Sequence, residues 1–126
     1  MPSKVRLQRI ADRFRQDLSV ILLKEISDPR LSGVYVNYVK VDRELAFADI
    51  YVSAIEGIER KKEILDGFEH ATGYLRRRLS EEIELRTFPR LRFFWDSHPE
   101  KVENLERLFA EIKRIESEKK QNGDSE

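Results

Sequence analysis

Asp96, Ser97 and His98 bring together a carboxylate, a hydroxyl and an imidazole, the parts from which an activated serine nucleophile is assembled. Adjacency works against that reading. Consecutive residues do not converge on one reacting atom, no nucleophile elbow surrounds Ser97, and Ser97-His98-Pro99 has the form of a helix N-cap. His70 stands beside Glu69 and one helical turn from Asp66, but a lone histidine among helical carboxylates reads as a solvated face rather than a metal site. Glu81, Glu82 and Glu84 read as exposed glutamates at a charged helix end, not as an acid/base pair. The five glycines are scattered and form no phosphate-cradling loop, and the lack of cysteine excludes a disulfide framework, a thiol nucleophile and thiolate metal sites. These residues indicate no catalysis, no metal, no cofactor and no small-molecule substrate.

Arginine clusters carry more information. Arg6, Arg9 and Arg13 fall within an arc of about 60° at helical spacing, on the side away from the apolar stripe of the same segment. They make a basic ridge. Residues 1–32 hold seven Lys and Arg against four Asp and Glu, although the whole chain balances 24 against 24. Any attraction for a polyanion is therefore local rather than global. Arg76, Arg77 and Arg78 follow Gly73 and fan over about 200° of a helix, so at least one of them is ordinary solvated surface. Arg86, Arg90 and Arg92 would extend this second patch, and ion pairs with neighbouring glutamates are its bland alternative. Phe47 and Tyr51 can face outward from a strand and stack on bases, although cross-strand packing is the commoner use of such rings.

The elements that must hold these side chains are legible from periodicity. Leu7, Ile10, Ala11, Phe14, Leu18, Ile21 and Leu22 predict a helix over about Lys4 to Ile26, stopped by Ser27-Asp28-Pro29-Arg30. Val34 to Val41 and Leu45 to Ile55 predict a hairpin turning at Asp42-Arg43-Glu44. Ala46, Ala48, Ile50, Val52 and Ala54 give the second strand one apolar face. The first strand changes phase between Val36 and Val39, which a bulge near Asn37-Tyr38 reconciles. Helical spacing returns from Ile58 to about Ile83, with a break or kink expected at Gly73. Leu91, Phe93 and Trp95 predict a third strand. Val102, Leu105, Leu108, Phe109, Ile112 and Ile115 predict a last amphipathic helix whose apolar side completes the core.

The result is a small α+β domain, a three-stranded sheet covered by helices on one face. At 126 residues there is room for one core, placed at 1–116, and the polar stretch 117–126 is expected to be a disordered tail. No apolar run is long enough for a bilayer, and Met1-Pro2-Ser3-Lys4 lacks a secretory pattern, so a cytoplasmic location without a membrane partner is expected; a monomer is expected as well.

Several motifs coincide in order between about Val5 and Asp96. They are Arg9-Ile10-Ala11, Asp28-Pro29-Arg30-Leu31, Arg43-Glu44-Leu45-Ala46 with Ala48 and Tyr51-Val52, Ala71-Thr72-Gly73, Leu75-Arg76, Leu85-Arg86, and Pro89-Arg90-Leu91 with Phe93 and Asp96. The ordered set resembles the ribosome-binding factor A family. The resemblance implies a KH-like fold of type II with a kinked helix pair, in which Ala71-Thr72-Gly73 replaces the usual GxxG loop. It also implies a non-enzymatic assembly factor, associated with growth in the cold, that binds the immature small (30S) ribosomal subunit and assists late 16S rRNA maturation. RNA-contacting residues would be Arg6, Arg9, Arg13, Arg30, Ala71, Thr72, Gly73, Arg76, Arg77 and Arg78. The alternative is a protein-interaction adaptor that docks a partner through Val102, Leu105 and Phe109 of the last helix, and exposure of those side chains is the observation that favours it.

Overall fold

Ile10, Ala11, Phe14, Leu18 and Ile21 share one helical face, which is stable only when it is buried against another layer. In the computed structural model, which describes residues 3–124, all five are buried on helix α1, Lys4–Lys24. Ser3 caps it, its Oγ accepting from the Arg6 amide at 3.2 Å. The helix ends before the expected Ile26, because Asp28 already belongs to the next turn. Its carboxylate accepts the Arg30 amide at 2.9 Å and starts a single 3-10 turn at Pro29–Leu31.

Strand β1, Val34–Val41, pairs antiparallel with β2, Phe47–Ala54. β2 starts later than Leu45 because that residue forms the turn. Its amide donates to the Asp42 carbonyl, Asp42 Oδ1 accepts the Phe47 amide at 2.8 Å, and Leu45 sits at φ 57°. A left-handed leucine costs about 1–2 kcal/mol. Packing of its half-buried side chain on the core offsets that cost. The ladder shifts between Val36 and Tyr38, the expected bulge, so Val36 and Val39 are both buried although three residues apart.

Strand β3, Arg90–Trp95, lies parallel to β2, giving the order β1-β2-β3. A parallel partner requires a crossover. Helix α2, Lys61–Glu82, supplies it and lays Phe68 against Phe93 with ring centroids 4.2 Å apart. The expected break at Gly73 is not there. α2 runs through it as one helix, since Ile64, Phe68, Leu75 and Leu79 on both sides are fully buried and outweigh the roughly 1 kcal/mol cost of a helical glycine. The helix pair of the sequence reading is thus a single element. The glycine that matters for packing is Gly67, where an added Cβ would lie 3.0 Å from Leu31 Cδ2 and 3.1 Å from Arg30 Cβ.

Compact packing of the first unit ends at Asp96. Its core is closed by residues no later than Trp95. Helix α3, His98–Asp124, makes up the second unit and includes 117–124 of the stretch read from sequence as a tail; residues 125 and 126 lie outside the described residues. The boundary at 116 is one of polarity, whereas packing divides the chain between Asp96 and Ser97. Val102, Leu105, Leu108, Phe109, Ile112 and Ile115, read from sequence as core residues, belong to this second unit, and each is at least 38% exposed. Amphipathic spacing shows that a helix has an apolar side, not what covers it.

Gly73→Ala should raise stability by about 1 kcal/mol, because nothing lies within 4 Å of the new methyl. Gly67→Ala should lower it by crowding Leu31. Urea denaturation of the two variants beside the wild type reads the opposite signs.

Candidate nucleic-acid interface

Helical spacing on α1 places Arg6, Arg9 and Arg13 along one edge of an open groove of about 370 Å³. Ile10 and Ile83 line its floor with Leu85, and Glu82 and Glu84 belong to the opposite side. Arg6 and Arg9 are exposed and have no hydrogen-bond or ion-pair partner for their side chains among the described residues. Arg13 is engaged: its Nε lies 2.8 Å from Asp17 and its Nη2 donates to the Glu82 carbonyl at 3.3 Å. The ridge exists, and its free cationic part is the N-terminal half.

Arg30 is not part of it. The guanidinium clasps Asp28 in a bidentate pair, the shortest separation being 2.7 Å, and holds the Asp28 carboxyl below the usual carboxylate range. Beside it, Arg60 donates to the carbonyls of Ser32 and Arg30, fastening the same loop to the start of α2. These arginines organise the chain where α1 turns into β1.

The run Arg76-Arg77-Arg78 divides into three different uses. Arg76 donates to the Phe88 and Pro89 carbonyls at 2.9 and 3.2 Å, tying α2 to the start of β3. Arg78 meets Glu25, Glu81 and Glu82, with Nε and Nη2 both on the Glu25 carboxylate at 2.7 and 2.9 Å. Arg77 lies over the Tyr74 ring at 5.5 Å and has no carboxylate partner among the described residues. Gly73 is open on the α2 surface, while half-buried Thr72 donates from Oγ1 to the Phe68 carbonyl one turn back at 2.7 Å, next to half-buried Ala71. Arg77 and Gly73 therefore face outward, and Arg76 and Arg78 are braces.

The remaining candidates settle likewise. Asp96 is buried and accepts from Asn37 Nδ2 at 2.9 Å, and the same amide group reaches Ser53 Oγ, so the carboxylate belongs to a polar link across the sheet. His98 opens α3. Among the described residues, no three histidine or acidic side chains gather as metal ligands. Tyr51 stacks between Tyr38 and Phe94, and Phe47 lies under the Arg92 guanidinium, so cross-strand packing does engage the two rings singled out from sequence. Tyr38 and Phe94 escaped that reading because only the strand register brings them beside Tyr51.

The family model described as Ribosome-binding factor A matches residues 6–109. The chain belongs to the ribosome-binding factor A family. A ribosome-binding factor A of Chromohalobacter salexigens is 40% identical over 108 residues, covering 84% of this chain and 82% of the relative. Its counterpart in Hahella chejuensis is 36% identical over 126 residues, covering 95% and 91%. The crystal structure of ribosome-binding factor A from Thermus thermophilus superposes with a TM-score of 0.56 at 22% identity, covering 74% of this chain and 96% of that one. A solution structure of a Thermotoga maritima protein gives 0.64 at 26%, covering 75% and 90%. A Thermus thermophilus ribosome-binding factor A fitted into a cryo-EM map of its complex with 30S gives 0.59 at 22%, covering 71% and 94%. The fold is accordingly the KH-like α+β arrangement of the ribosome-binding factor A family.

Glu25 records the brace between α1 and α2. Hydrogen bonds from Arg78, and then from the Tyr74 hydroxyl at 2.7 Å, lower its pKa from 4.5 to about 2. A carboxyl depressed on folding contributes stability above its unfolded pKa and loses that contribution as pH falls through the folded one. Glu25→Gln should therefore flatten the decline of stability between pH 4.5 and about 2, as read by urea midpoints across an acid pH series.

Proposed function

We propose that this protein binds the immature small (30S) ribosomal subunit and assists late 16S rRNA maturation by binding, without bond chemistry. The observation that carries the proposal is the pair Arg6 and Arg9, adjacent at helical spacing and without a partner among the described residues, on an electrically balanced chain in which Arg13, Arg30, Arg60, Arg76, Arg78 and Arg92 are held by acceptors of their own unit. Free guanidinium groups at helical spacing suit the repeated phosphates of RNA. Membership of the family supports the partner, as does the Thermus thermophilus relative fitted into a map of its 30S complex. Arg77 and the open surface at Gly73 would let a phosphate backbone approach α2, with Ala71 and Thr72 keeping that stretch of helix low. Arg13, Arg76, Arg30 and Arg78 would act mainly by holding this surface in place.

Binding alone is sufficient to act. A factor with higher affinity for one rRNA conformation shifts the population toward it. No helix among the described residues is long and apolar enough to cross a membrane, and the proposed site of action is the cytoplasm.

A second reading has its own observation. The apolar side of α3 is exposed, Phe109 at 63%, which suits an adaptor that docks a protein partner there.

Co-sedimentation with mature and immature 30S particles at low and high salt separates the two. Arg6→Glu with Arg9→Glu should weaken subunit binding and reduce the log–log salt slope by about 0.7–0.9 for each phosphate that is no longer neutralised. Unchanged binding would exclude the ridge. If Leu105→Ser with Phe109→Ser abolishes co-sedimentation while the arginine variant does not, attachment runs through α3.

A further inference from the structure

Alternation along β2 sends Ala48, Ile50 and Val52 to the core and Phe47, Asp49 and Tyr51 to the opposite face of the sheet. The register aligns two rows across all three strands there. One row is Tyr38, Tyr51 and Phe94; the other is Lys40, Asp49 and Arg92. The rings form a column, with centroids 4.3 Å apart at 12° and then 5.3 Å apart at 26°. Its ends stand on the edge strands and remain open to solvent, Tyr38 at 45% and Phe94 at 38%. Packing accounts for the middle ring. It does not account for aromatic ends left in water, which forgo the stabilisation that burial would give.

The charges beside the column specify what would cover it. Lys40, Arg90 and Arg92 outnumber the carboxylates that act on them, Asp49, which pairs Arg92 directly, and Asp42, whose charge reaches Arg92 while Oδ1 accepts the Phe47 amide; Asp96 is buried against Asn37. Asp49 fixes the Arg92 guanidinium at 2.6 and 3.1 Å and holds it 4.0 Å from the Phe47 ring centroid. Flat rings, a flat cation stacked on a ring, and a surplus of positive charge are complementary to base planes joined by phosphates. An apolar protein segment would need no such cations.

We propose that this face stacks the unpaired bases of single-stranded RNA, as a contact surface additional to the α1 ridge. The inference rests on RNA being the partner, and adds which part of an RNA is engaged and where. The ring contact itself is tolerant of sequence and carries no charge, so removing the rings leaves the salt slope to the cations, whereas removing the ridge arginines lowers it. The two surfaces are therefore separable by experiment.

The test uses the full chain, with fluorescence anisotropy of a labelled oligoadenylate and of an RNA duplex of equal length at two salt concentrations. The oligoadenylate should bind more tightly. Tyr38→Leu with Phe94→Leu should lose about fivefold or more of that affinity with the salt slope unchanged, and Tyr38→Phe, which keeps the ring, should retain it. Arg6→Glu with Arg9→Glu should lower the slope and keep the preference for unpaired bases. Ultraviolet crosslinking of the wild-type protein needs no folded variant and should place the adduct on Tyr38 or Phe94. Equal affinity for duplex and single strand, or crosslinks confined to α1, overturns the proposal. So does a double variant that loses subunit binding but keeps oligoadenylate, which would make the occupant a protein. Crosslinks at the rings together with no 30S binding would instead uphold the stacking face and remove the ribosomal reading.

Discussion

The burial of one side of β2 is the constraint on which the rest depends. Ala48, Ile50 and Val52 are fully buried, and this central strand must satisfy an antiparallel neighbour on one edge and a parallel neighbour on the other. A parallel third strand obliges the chain to cross over the sheet. α2 is that crossover. Its length and its unbroken course through Gly73 follow from having to keep Ile64 and Phe68 at one end and Leu75 and Leu79 at the other pressed on the same layer.

With the helices fixed in this way, the charged side chains are sorted by what lies within reach. Arg78 spans from α2 to Glu25 at the end of α1, and Arg30 closes on Asp28 two residues away. Arg60 gathers two backbone carbonyls of the connecting loop together with Glu63 and Glu56. Exposed pairs of this kind contribute little stability singly, yet they fix the position of backbone segments. Their larger consequence is subtraction. An electrically balanced chain that commits arginines such as Arg13, Arg30, Arg60, Arg76, Arg78 and Arg92 internally leaves its attraction for a polyanion to the others, Arg6 and Arg9 among them.

Much of this was legible in the residues themselves. The apolar stripe of α1, the single buried face of β2 and the bulge at Asn37 follow from periods of 3.6 and 2 and from one change of phase. The start of β2 was not, because a left-handed Leu45 contradicts local preference and is held there by tertiary packing. Nor was the role of Gly67, which depends on Leu31 lying against it from a distant part of the chain. The basic ridge on α1 could be placed because three arginines on one helix share a geometry known in advance. The run at Arg76 could not be apportioned, because its partners Glu25, Phe88 and Pro89 come from elsewhere in the chain.

By itself the sequence determined the α+β class, the order of the elements, the family, and the absence of thiol chemistry, since each rests on local periodicity, composition or ordered motifs. Only the tertiary structure decided which guanidinium groups are consumed by carboxylates, that α2 is one helix, that the apolar side of α3 is exposed, and that Tyr38, Tyr51 and Phe94 form a single column. The physical reason is the range of the interactions. Backbone propensity and amphipathic spacing act over a few residues, whereas ion pairing and ring stacking join side chains whose separation in space is set by strand register and helix packing.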